Sequence, residues 1–182
     1  MRLIESTLAG VKLIEPKVFA DARGSFFESF NSERFAELGL PDCFTQANVS
    51  VSKQGVIRGL HFQNPEAQGK LVYVLHGAVF DVAVDIRLGS PTFGKWFGCE
   101  LSRDNALMMY IPEGFAHGFQ ALSESASFCY LCTRVYRAAH DRAIRFNDPQ
   151  LGVQWPLPAG ELSPKDLAAP LLSDLTEALP RY

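Results

Sequence analysis

Four polar side chains, Arg58, His61, Gln63 and Lys70, stand among apolar residues in the stretch 55–77, GVIRGLHFQNPEAQGKLVYVLHG. A second stretch, IPEGFAHGF at 111–119, adds His117 in what reads as a glycine-rich turn. An imidazole titrates near neutrality, so a histidine in such a setting is suited to moving a proton. Core-forming runs seldom hold cations without partners, so Arg58 and Lys70 point to a pocket that receives an anion. Gly55, Gly59, Gly69 and Gly77 mark turns or close backbone approaches around these side chains.

The pattern of the rest of the chain predicts what holds them. Residues 3–4, 11–14, 17–19 and 25–30 read as short strands, with a turn at 21–24. NSERFAEL, at 31–38, predicts a helix: Asn31 caps it, Phe35 and Leu38 share one side, and Gly39 and Pro41 end it. From Phe44 to Tyr136 the spacing predicts strands at 45–51, 71–74, 79–86, 95–101, 107–111 and 127–135, separated by Gly, Asn, Pro or Asp turns. Such regular spacing implies an all-β chain, an antiparallel sandwich or barrel with a few short helices. Beyond Asp148-Pro149, five prolines at 156, 158, 164, 170 and 180 exclude long elements. A short helix is predicted at Ser163-Pro164-Lys165-Asp166, with serine as cap and proline at the first helical position. No repeat or linker interrupts the chain, so 1–182 is expected to be one domain. Asp81 and Asp85 share a strand face as expected partners for nearby cations, His76 is read as a turn residue, and His140 as a solvated one.

Whole-chain properties narrow the function. The 182 residues carry a net charge of −3, which lacks the basic face expected of a nucleic-acid or anionic-membrane binder. Any anion site must be a local gathering of cations on an acidic protein. No apolar run approaches the roughly 20 residues that cross a bilayer. Glu5, Lys12, Glu15 and Lys17 interrupt the apolar residues of the N-terminal stretch, which does not read as a signal peptide; a cytoplasmic location is expected. Cys43, Cys99, Cys129 and Cys132 then read as reduced core residues, and the lone CxxC at 129–132 sits in a strand-like context rather than a zinc site.

The spacing of the two histidine stretches resembles the motifs of the cupin family. Gly55, five residues, His61 and Gln63 resemble the first, and Pro112-x-Gly114-x-x-His117 the second. In cupins those motifs supply a metal with three histidines and a glutamate. Here Gln63 replaces one histidine, and Lys70 stands near the glutamate's place. Glutamine is a poor ligand for a transition metal and an ammonium repels one, so the barrel is expected to be metal-free.

A closer resemblance spans nearly the whole chain. EPKVFADARGSFFES, QANVSVSK, VIRGLHFQ, QGKLV, VFDVAVDIR, SPTFGKW, IPEGFAHGF, FNDP and LSPKDLAAPLL, in that order, are similar to the dTDP-4-dehydrorhamnose 3,5-epimerases, homodimeric, cofactor-free enzymes of bacterial deoxysugar synthesis with a cupin-like jelly roll. The resemblance implies His61 as base, Asp166 as its orienting partner, Tyr130 as proton donor and Lys70 beside the sugar carbonyl. It places Arg23, Glu28, Gln46, Asn48, Arg58, His117 and Lys165 around the nucleotide sugar, and Asp141 where the family has glutamate. Tyr136 aligns with the aromatic that stacks on the nucleotide base. It also implies a dimer interface involving residues 1–30 and a proline-rich segment, 149–182, packed on the barrel. The substrate implied is a nucleoside diphosphate 4-keto-6-deoxyhexose, whose C3 and C5 protons are both acidified by the C4 ketone, with Arg23 and Arg58 on the diphosphate.

Departures from the family pattern gather at 131–146: Leu131, Val135, Ala138, Arg142 and Phe146. They lie beside the nucleotide contacts and leave open whether the nucleotide is dTDP, CDP or GDP and whether one carbon or both are inverted. Two other readings remain at this level: a sugar 3,4-ketoisomerase of similar fold, and a metal-free cupin that only binds sugars.

Overall fold

The computed structural model describes all of residues 1–182 and is built almost wholly from antiparallel strands. In chain order these are β1 (Arg2–Glu5), β2 (Lys12–Glu15), β3 (Val18–Asp21), β4 (Gly24–Phe27), β5 (Gln46–Lys53), β6 (Ile57–Gln63), β7 (Lys70–His76), β8 (Ala78–Asp85), β9 (Trp96–Ser102), β10 (Met108–Ile111), β11 (Phe115–Ala121), β12 (Ser125–Cys132) and β13 (Asp141–Ala143). One sheet has six strands in the order β1-β2-β10-β7-β12-β5, and a second has five in the order β13-β6-β11-β8-β9. The two sheets pack face to face as a cupin-like sandwich. Val72, Val74, Met109 and Phe128 of the larger sheet meet Val79, Ala83, Phe115 and Phe119 of the smaller in one core.

Side-chain alternation shows why the strand sequences look continuously apolar. On β8, Val79, Asp81 and Ala83 turn inward, while Val82 and Val84 turn outward beneath Leu151, Val153, Leu172 and Leu179 of the C-terminal segment. A strand buried on both faces loses the apolar–polar rhythm of a half-exposed one. The outer face of the larger sheet is covered in part by helix α1 (Ser32–Glu37), whose Phe35 packs with Ile14, Leu71 and Met108. Asn31 accepts from the backbone N–H of Arg34 and caps that helix, as its sequence predicts. Helix α2 (Pro164–Leu167) is capped in the same way by Ser163, which accepts from the N–H of Asp166 at 3.1 Å.

Several expectations need correction. His117 lies inside β11, not in a turn; the turn is at Gly114 (φ +86°), and every residue of the strand that follows is buried. Cys43 is exposed on the loop between α1 and β5 and is not a core residue. His140 is half-buried in a 3-10 turn, its Nδ1 3.3 Å from the Glu66 carboxylate. β12 ends at Cys132, three residues short of the expected boundary.

Backbone contact between β6 and β11 is unusually close. A Cβ at Gly59 would lie 2.6 Å from the Cα of Gly118, and Gly59 has φ +127°, a conformation that side chains oppose. The pair of glycines lets the two histidine-bearing strands approach where they enter the cavity.

Candidate active site

Between the sheets lies a cavity of about 260 Å³, and its walls combine side chains from both. β6 and β11 set His61 directly opposite His117 in the smaller sheet. In the larger sheet, β12 sets Tyr130 opposite Asn48 of β5, and Cys132 opposite both Gln46 and Lys70. The inward faces of β5 and β12 explain the grouping: residues 46, 48 and 50 on one, and 128, 130 and 132 on the other, recur at the strand's period of two.

The His61 Nε2 lies 2.5 Å from an oxygen of Asp166, which α2 delivers to β6. Asp166 is almost fully buried. Burial opposes its charge, but bonds from His61 and the Ser163 cap, with Lys165 nearby, hold its pKa below the ordinary carboxylate value. An ionised carboxylate only accepts hydrogen bonds, so the Nε2 of His61 carries the proton and donates it. In the neutral imidazole, Nδ1 then holds the lone pair. The ring is about one-third exposed, open enough to meet a ligand.

Tyr130, on the opposite sheet, is half-buried, and burial raises its phenol above the ordinary value, so at neutral pH it keeps its proton. Its hydroxyl makes no bond to a backbone carbonyl, the usual arrangement for a core tyrosine. The Lys70 ammonium is buried in the cavity wall without an ion pair. Burial depresses its pKa, and Cys132, Asp81 and Asp141 pull in the other direction. His117 donates to Asp81 at 2.9 Å, and both are buried; burial lowers the histidine's pKa, favouring the neutral ring.

The remaining predicted residues divide into two groups. Gln46, Asn48, Arg58, Tyr136, Asp141 and Lys165 line the cavity. The Nε of Arg58 is held by Ser52 at 3.0 Å and its Nη2 by the carbonyl of Val51 at 3.3 Å. At the rim, the Tyr136 hydroxyl donates to Asp141 at 2.9 Å, Lys165 pairs with the same carboxylate, and the Tyr136 N–H is fixed by Gln46 at 2.6 Å. Arg23 and Glu28 are not in this cavity. Arg23 sits in the turn of the β3–β4 hairpin, paired with Asp21 at 2.5 Å. Glu28 pairs with Arg34 at 3.1 Å.

Sequence reasoning did not select Ser50, Gln68, Phe119, Phe128, Cys132 or Ser163, all of which line the cavity. For Ser50, Phe128 and Cys132 the signal was present: each lies two residues from a selected residue on the same strand. Gln63, chosen as a departure from a metal motif, has a structural task. Its amide donates to the Glu66 carbonyl at 2.6 Å and accepts from the Arg137 N–H at 2.8 Å.

The arrangement suits proton transfer to and from carbon: a carboxylate-backed imidazole on one wall, a protonated phenol on the other, and a buried ammonium beside them. Comparison with known proteins agrees. The family model for dTDP-4-dehydrorhamnose 3,5-epimerase matches residues 5–174. A dTDP-4-dehydrorhamnose 3,5-epimerase of Salmonella typhimurium is 53% identical over 184 residues, covering 97% of this chain and all of that protein. The crystal structure of dTDP-6-deoxy-D-glucose-3,5-epimerase from Legionella pneumophila, solved with dTDP-4-keto-L-rhamnose, is 53% identical with a TM-score of 0.97, over 100% of this chain and 98% of the other. A dTDP-4-dehydrorhamnose 3-epimerase of Streptomyces niveus is 44% identical, over 100% of this chain and 90% of that protein. With motifs, fold and cavity in agreement over nearly the full length, the chain belongs to the dTDP-4-dehydrorhamnose 3,5-epimerase family.

Proposed function

We propose that this protein inverts C3 and C5 of dTDP-4-keto-6-deoxyglucose, giving dTDP-4-keto-L-rhamnose. The observation that carries the reading is the placement of a carboxylate-bonded imidazole and an unengaged phenol on facing sheets of one cavity. His61 Nδ1 removes the proton from a carbon beside the ketone, and Asp166 stabilises the imidazolium that forms. The electron pair moves onto the C4 oxygen, where the Lys70 ammonium supports the enolate; one such donor is worth about 2.7–4 kcal/mol in comparable sites. Tyr130 then gives its proton to the opposite face of the carbon. The imidazolium and the phenolate reset through solvent before the second carbon is inverted. The ketone is itself the electron sink, so the reaction calls for no cofactor. Arg58 meets the diphosphate, Asn48 and His117 contact the sugar and phosphate, and Tyr136 with Asp141 and Lys165 holds the nucleoside.

The working unit in this reading is a homodimer of one-domain subunits in the cytoplasm, where four free thiols are stable. Val18, Phe19 and Phe26 of the β3–β4 hairpin are exposed, as are Val49 and Val51 on the outer face of β5. Covering these side chains with a second copy would lay the hairpin, with Arg23 and then Glu28, against the partner's cavity. No helix of the chain is long and apolar enough to cross a membrane.

The reading is tested by incubating the protein with dTDP-4-keto-6-deoxyglucose in D₂O and following deuterium at C3 and C5 by NMR. Uptake at both carbons with conversion to the L-rhamno product is expected. Uptake at C3 alone would replace it with a 3-epimerase, and none at either carbon with a binding module.

A further inference from the structure

The β3–β4 hairpin is the least supported element of the molecule. All eight of its strand residues are exposed except Phe27, which is half-buried. Its two strands pair with each other and with no sheet. One hydrogen bond ties it to the rest of the chain: Arg103 Nη2 donates to Ser25 Oγ at 2.6 Å. The same guanidinium lies over the Phe27 ring, 5.5 Å from its centroid.

Arg103 is well placed to act as a strut. It follows β9 in a tight turn whose backbone is fixed at several points. Its own N–H donates to the Gly77 carbonyl at 3.0 Å, and the Asn105 side chain accepts from Ser102 at 3.0 Å and donates to the Glu100 carbonyl at 3.0 Å. Arg103 has no carboxylate partner, so its planar donor fork is spent on a neutral hydroxyl and an aromatic face. Arg23 is at the hairpin's turn, between Asp21 and Gly24, two residues from Ser25. Asp21 holds the Arg23 guanidinium and N–H within the turn, so a contact at Ser25 bears on where the whole turn, with Arg23, lies.

We propose that Arg103 is a positioning residue for the epimerase reaction: it aims the β3–β4 hairpin so that Arg23 reaches the diphosphate in the partner's cavity. This rests on the dimeric reading given above. Arg103 touches no reacting group, so its removal weakens substrate binding and leaves chemistry at His61 and Tyr130 intact.

The test compares Arg103→Ala, Arg103→Lys, Ser25→Ala and the double variant Arg103→Ala/Ser25→Ala in steady-state kinetics, with mass by light scattering. Loss of a charged hydrogen bond at a partly exposed site is expected to raise KM about five- to tenfold in Arg103→Ala, with kcat within about twofold. Ser25→Ala should raise KM as well, the double variant should be no worse than Arg103→Ala, and Arg103→Lys, which keeps the charge but not the planar fork, should restore only part of the affinity. An unchanged KM in Arg103→Ala, a fall in kcat with KM preserved, or additive effects in the double variant would overturn the assignment. Failure of the dimeric reading looks different: the wild-type protein would run as a fully active monomer and Arg23→Ala would keep its KM. A dimer in which Arg23→Ala raises KM but Arg103→Ala does not would refute the strut alone.

Discussion

Asp166→Asn isolates the contact on which proton abstraction rests in the proposed reaction. The change is nearly isosteric, and the Ser163 cap to the residue's backbone N–H survives, so α2 and the fold should persist. What changes is the 2.5 Å contact with His61 Nε2. A carboxylate accepts from Nε2–H and gains strength as the ring becomes cationic; a carboxamide does neither in full, and its NH₂ stabilises the tautomer with the lone pair on Nε2. Hydrogen bonds to charged groups contribute about 1.5–3 kcal/mol. Because Asp166 is nearly buried, the upper end of that range applies, and about 3 kcal/mol corresponds to roughly a 150-fold loss in kcat. The tautomer shift enlarges this toward 10³-fold. The assay is solvent deuterium exchange at C3 and C5 alongside product formation, with the melting temperature as a control. Both rates should fall together while the melting temperature moves little. A variant retaining a tenth of wild-type exchange would refute the claim that Asp166 fixes the base.

Tyr130→Phe removes the proposed donor and leaves the base, so deuterium exchange should survive better than inversion, with product formation down about 10²- to 10⁴-fold. Equal loss of both by NMR would count against the donor role. Asp85 accepts from Arg87, Ser90 and Thr92, and despite its burial these bonds hold its pKa at about 2, below the ordinary 3.8. A depressed folded pKa contributes stability above the unfolded value and loses it as pH falls through the folded one. Asp85→Asn should therefore cost about 2 kcal/mol in urea unfolding at pH 7 and progressively less between pH 4 and pH 2. A constant difference across that range would show that the ionised carboxylate is not the source.

The sequence made the site legible to the extent that strand periodicity and local signals agreed. Asn31 and Ser163 sit at helix starts because short polar side chains satisfy free N–H groups locally, and both helices form where predicted. His117 was misplaced in a turn because β11 is buried on both faces and shows no alternation to distinguish it from a glycine-rich loop. The His61–Asp166 contact spans 105 positions; spacing alone could not link them, and only the resemblance to a family did. Arg23 and Glu28 were legible as motif residues but not as residues outside the chain's own cavity, because spacing does not state where a hairpin that joins no sheet lies relative to that cavity. Ser50 and Phe128 were missed where a period-two reading outward from Asn48 and Tyr130 would have found them.

In the proposed reaction the base, His61, belongs to one sheet and the acid, Tyr130, to the other, so the gap between them is a caliper whose jaws are set by the packed interior. Val72, Val79, Ala83, Phe119 and Phe128 act as its spacer. Enlarging that spacer, for example by Ala83→Val, should lower inversion more than solvent deuterium exchange, with every polar group unaltered; equal loss of both would count against the caliper. In that reading, turnover is yoked to interior volume as well as to the polar groups.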